Sequence, residues 1–86
     1  MKQYENILSE LKERGVSIQD SGYDDRVMGS WFIQVDSTPL YRIVHDGRDK
    51  AIVLEVYEKE WDSLLADKTR SGKHAIAKLI DELKHS

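Results

Sequence analysis

The sequence predicts an α+β fold: an antiparallel β-meander of three to four strands, with an N-terminal helix and two C-terminal helices packed on one face. Apolar residues recur with helical spacing at both ends of the 86-residue chain, and alternate with polar ones between residues 31 and 57. The alternating stretch is cut by Ser37-Thr38-Pro39 and by Asp46-Gly47-Arg48-Asp49, both rich in turn formers. A helical stripe and an alternating strand each have one apolar side to bury, and a meander with its helices on one face buries both.

Tyr4, Ile7, Leu8 and Leu11 stand at i, i+3, i+4 and i+7, which predicts a first helix over about residues 3–14. Gly15 follows Lys12-Glu13-Arg14, where a left-handed C-terminal cap belongs. Val16 and Ile18 alternate with Ser17 and Gln19 as a short strand; Asp20-Ser21-Gly22 and Asp24-Asp25 then read as turns before Val27 and Met28. Trp31 to Asp36, Leu40 to His45 and Lys50 to Tyr57 are the meander. Glu58 to Asp67 carries Trp61, Leu64 and Leu65 at helical spacing, and Ile76, Leu79, Ile80 and Leu83 repeat it in the last helix, with Thr69 or Ser71 as its N-cap.

Register follows from the turns. If Asp36 opposes Leu40, then Val35 pairs with Tyr41 and Ile33 with Ile43; a four-residue loop sets His45 opposite Lys50, hence Ile43 opposite Ile52, Tyr41 opposite Leu54 and Val44 opposite Ala51. One face then reads Trp31, Ile33, Val35, Tyr41, Ile43, Ile52, Leu54 and Val56, the side for the helices. The other carries Phe32, Val44, Ala51 and Val53, flanked by Gln34, Leu40, Arg42 and Glu55. That is more apolar surface than a solvated face requires. It is either covered by residues 16–30 or used to bind a partner.

Composition narrows the class. One domain over residues 1–86 is expected, with a core of ordinary size: about 5,200 Å² exposed when folded against about 14,500 Å² unfolded. With no cysteine there is no disulfide framework, thiolate metal site or cysteine nucleophile. Neither a secretory leader nor a membrane-length apolar run is visible, so the expected location is cytoplasmic. The net charge of −3 is uneven. Residues 68–86 hold five Lys/Arg and two Asp/Glu, so the C-terminal segment is locally basic.

Chemical motifs fail on spacing. Ser71-Gly72-Lys73-His74 matches the end of a phosphate-binding loop for two residues, but Asp67 stands where its first glycine belongs and His74 where its hydroxyl belongs. The window from Asp20 to Trp31 has Asp25 sixth and Trp31 twelfth, where a calcium loop needs glycine and glutamate. His45, His74 and His85 fall on separate elements without metal-ligand spacing, and no metal or other cofactor is expected. His45 with Asp46 is the best acid/base pair present, yet no nucleophile elbow or oxyanion glycine run accompanies it.

The expectation is therefore a small non-enzymatic module acting through protein contact, as a homodimer, adaptor or inhibitor-type accessory protein, with no membrane partner. Its contact surface is Phe32, Leu40, Arg42, Val44, Val53 and Glu55. The alternative is a weak RNA or phosphate binder using Lys68, Arg70, Lys73, His74 and Lys78 in the basic segment. Helix, antiparallel strands and a lysine-headed helix resemble the outline of double-stranded RNA-binding domains. The resemblance departs at an additional strand and at the expected helix around Trp61.

Overall fold

The computed structural model describes residues 2–24, 26, 29–47 and 51–85. Its elements are α1 (Lys2–Glu13), β1 (Ile18–Asp24), β2 (Ser30–Val35), β3 (Leu40–His45), β4 (Ile52–Tyr57), β5 (Trp61–Asp67) and α2 (Lys73–His85). The strands form one antiparallel sheet in the order β1-β2-β3-β4-β5. The α+β class and the meander are as expected. The sheet, however, has five strands rather than three to four, and one helix rather than two follows it.

Helix α1 ends as its sequence predicts. Gly15 has φ +80°, its amide donates to the Lys12 carbonyl, and the Val16 amide donates to the Leu11 carbonyl. These paired bonds satisfy the last carbonyls of the helix, and Leu11 and Val16 are both buried there. Ile7 and Leu11 from α1 join Ala75, Ile76 and Leu79 from α2 over Trp31, Ile33, Val35, Tyr41, Ile43, Ile52, Leu54 and Val56. Both helices therefore cover the face that the strand alternation marks as apolar.

Three strand assignments are corrected. Asp20, Ser21 and Gly22 lie inside β1 rather than in a turn, because distant partners hold them extended: they pair with Gln34, Ile33 and Phe32 of β2, the Tyr4 hydroxyl donates to Ser21 Oγ, and Gly22 lies under the Phe32 ring, where a Cβ would sit 2.9 Å from Cε1. Val27 and Met28, expected after that turn, lie outside the described residues. Residues 61–67 form β5, paired with β4 from Tyr57↔Trp61 to Ile52↔Asp67. A bulge beside Leu54 and Glu55 adds one residue to β5 and breaks its alternation, so Trp61, Leu64 and Leu65 acquire a false helical spacing.

The third correction is register. β2 and β3 pair as expected, with Val35↔Tyr41 and Ile33↔Ile43. Between β3 and β4 the pairs are His45↔Ile52, Val44↔Val53 and Ile43↔Leu54, two residues from the expected alignment, because the connection is longer than four residues. Arg48 and Asp49 of the expected turn, and Lys50, which would have opened β4, lie outside the described residues. A shift of two preserves the side of every residue, so the two faces keep their expected members except Ala51, which is buried ahead of β4.

The cap of α2 is also corrected, since neither Thr69 nor Ser71 supplies it. Ile76 donates its amide to the Gly72 carbonyl, which makes Gly72 the residue before the first helical turn. Gly72 has φ +66°, and a Cβ there would meet Ile7 Cδ1 at 3.0 Å and Ile52 Cδ1 at 3.3 Å. Both the backbone and the tight meeting of α1, β4 and α2 require glycine, which has no side chain to offer the helix. Asp67, at the end of β5 and 1% exposed, reaches across instead. Its Oδ2 accepts from the His74 amide at 2.8 Å and the Ala75 amide at 2.9 Å, while Oδ1 accepts from the Thr69 amide and hydroxyl.

Candidate functional site

With both helices on one side, the opposite face of the sheet carries no helix, and strand pairing arranges its side chains in rows running across the strands. Gly22, Phe32, Val44, Val53 and Ala66 are consecutive cross-strand partners from β1 to β5, an unbroken row without charge. The next row is Asp20, Gln34, Arg42, Glu55 and Ser63. The third is Leu40, Tyr57 and Trp61. The six residues expected from sequence to form a contact surface, Phe32, Leu40, Arg42, Val44, Val53 and Glu55, share this face and are all half-buried.

The described part of residues 16–30 does not cover them. β1 lies beside β2 in the plane of the sheet, as a fifth strand and not as a second layer.

At the centre of the polar row the Arg42 charge is paired. Arg42 Nε lies 2.5 Å from Glu55 Oε1, and its guanidinium carbon sits 4.0 Å from the centre of the Trp61 ring. Trp61 in turn packs against Tyr57 with ring centroids 5.2 Å apart. Gln34 donates to Gln19. The Arg42 charge is thus held to one side, toward β5, by a carboxylate and an aromatic face. Tyr57 is 41% exposed and Leu64 39%, the large apolar side chains most open to water among the described residues.

Sequence reasoning missed Tyr57, Trp61 and Ala66 on this surface. The signal that could have found them is the short acidic run Glu58-Lys59-Glu60 between two aromatic residues. It is a hairpin loop across which Glu58 donates its amide to the Glu60 carbonyl at 3.3 Å.

The basic segment has a different setting. Lys68, Arg70, Lys73, His74 and Lys78 are exposed, and Lys78 pairs with Glu82 at 3.5 Å. The amides of His74 and Ala75, which an incoming phosphate would use, are already bonded to Asp67. A labelled RNA duplex titrated at two ionic strengths is expected to bind weakly or not at all. Tight binding that collapses with salt and with Lys73→Glu would establish the basic segment as a nucleic-acid site.

His45 lies on the core side at the sheet's rim. It stacks on Trp31 with centroids 5.6 Å apart and planes 18° from parallel, and its buried Nδ1 has no hydrogen-bond partner. Among the described residues no three His, Asp or Glu side chains group to hold a metal, and no helix is long and apolar enough to cross a membrane. The fold and surface together define an open-faced two-layer α+β protein. Comparison with protein-family models, with characterised proteins and with solved structures finds no match.

Proposed function

We propose that this chain is a non-enzymatic contact module whose working surface is the helix-free face of its sheet, and that the occupant of that face is a second copy of the chain. The observation that carries this reading is the uncharged row from Gly22 to Ala66, crossing all five strands on the side away from the helices. Trp61, Tyr57 and Arg42 at its flank are of the residue types that dominate binding energy in protein interfaces. Five strands about 4.8 Å apart and about 20 Å long present a face of roughly 500 Å², so two copies bury about 1,000 Å² in all. That is the lower limit for a specific interface, and it corresponds to a weak dimer.

Light scattering over a dilution series tests the reading. The wild type is expected to move between about 20 kDa, twice the chain mass of 10.0 kDa, and the monomer mass within the micromolar range. Val44→Lys is expected to remain monomeric throughout. Because Val44 is outside the core, its denaturant melt should stay within about 0.5 kcal/mol of wild type when both are measured as monomers. A wild type that is monomeric at every concentration overturns the choice of occupant. A strongly destabilised Val44→Lys monomer would instead show that the face is packed from within.

A further inference from the structure

Resting on that reading, we infer that the two copies stack sheet on sheet about a two-fold axis parallel to β3, placing Val44 against Val44 and Phe32 against Val53 of the other copy. Two-fold axes that lie along a strand or along a row keep the strands of the two sheets aligned, and area and charge separate them. An axis along the uncharged row would overlap only about half of each face, roughly 500 Å² in total, less than a specific contact needs. An axis along the polar row would overlap the whole face, but would set Glu55 on Glu55 and Asp20 on Asp20, each opposed to its own charge, whereas Arg42 stands opposite Arg42 about either axis.

The axis parallel to β3 keeps every row on its own row and reverses strand order. Phe32 then meets Val53, Val44 meets Val44, and Gly22 meets Ala66, so the largest side chain faces a smaller one and the row fills without a double bulk. In the polar row Gln34 faces Glu55, and Ser63 faces Asp20. The two Arg42 side chains avoid each other, because each is drawn toward its own Glu55 and Trp61 and hence to opposite sides of the axis. Aligned packing of two twisted sheets adds a rotation of about 30° between strand directions, which leaves Val44 on Val44 at the pivot and Phe32 within reach of Val53 while offsetting the outermost pairs by about 5 Å.

Charge complementation in mixed samples tests the arrangement. Val44→Lys and Val44→Asp are each expected to be monomeric alone and to form a dimer when mixed, because the altered positions face each other. Phe32→Lys mixed with Val53→Asp should do the same. Folding of each variant is checked by far-UV circular dichroism. If Val44→Lys does not fold, Val44→Thr replaces it and must weaken wild-type association at least tenfold. A dimeric wild type whose Phe32/Val53 mixture stays monomeric overturns this axis and leaves the contact face standing. A wild type that never dimerises removes both, and a dimer indifferent to every Val44 substitution assigns association to another surface.

Discussion

Asp67→Ala is expected to cost about 2–5 kcal/mol, a large share of the roughly 4–13 kcal/mol available to a chain of this length. The carboxylate is buried and accepts from three backbone amides and one hydroxyl. Truncation leaves the amides of Thr69, His74 and Ala75 without their acceptor, and unpaired buried donors are expensive. Chemical denaturation at neutral pH measures the loss. Burial pushes the Asp67 carboxyl upward, but the bonds from the Thr69 hydroxyl and from the Ala75, Thr69 and His74 amides outweigh it and hold the group below its ordinary value. A depressed carboxyl stabilises the fold above the unfolded-state pKa of about 3.9, and the contribution is lost as pH falls through the folded-state value. Wild type should therefore lose stability below about pH 4, whereas Asp67→Asn, weaker at neutral pH, should show less of this acid dependence. Equal slopes in the two proteins between pH 5 and pH 2 would remove Asp67 as the acid-sensitive group.

Leu79→Ala is expected to cost about 2–5 kcal/mol, because Leu79 is 0% exposed and belongs to the cluster that joins both helices to the sheet. Its neighbour Ile80 packs only at the margin of that cluster, so Ile80→Ala should cost clearly less. The contrast is more informative than either value, since adjacent residues on a helix differ by about 100° in direction. Denaturant melts on both variants decide it. A Leu79→Ala loss below 1 kcal/mol, or a larger loss at Ile80, would mean that α2 presents a different stripe to the sheet.

Where sequence and structure agree, a single local periodicity is sufficient. The stripes at Ile7 and Leu11 and at Ile76 and Leu79, and the alternation from Trp31 to Val56, identify core positions without knowledge of their partners. Face membership also survives an error in register, because the β3–β4 misalignment is an even number of residues. Membership of the helix-free face is partly legible for that reason: Phe32, Arg42, Val44, Val53 and Glu55 fall together on it although Val44 pairs with Val53 and not with Ala51. What escapes sequence reading depends on nonlocal geometry. The bulge in β5 imitates a helix, hiding Trp61 from the surface where it meets Arg42. The role of Asp67 is invisible because its partners lie up to eight residues onward, while the local candidates Thr69 and Ser71 look like better caps.

Both outermost strands are irregular where another chain would have to join them. β1 is bulged between Ile18 and Asp20 and carries Asp20 and Asp24; β5 is bulged opposite Leu54 and Glu55 and carries Asp62. A kinked, acidic rim is a poor template for another strand, so the hydrogen-bonded ribbon does not propagate from molecule to molecule. A face, unlike a rim, is consumed once: an isologous pair covers it and leaves no second copy of it to offer. On the proposed face-to-face pairing, concentration should accordingly drive this protein toward a finite pair and not toward filaments, with growth ended by the same five strands that begin it.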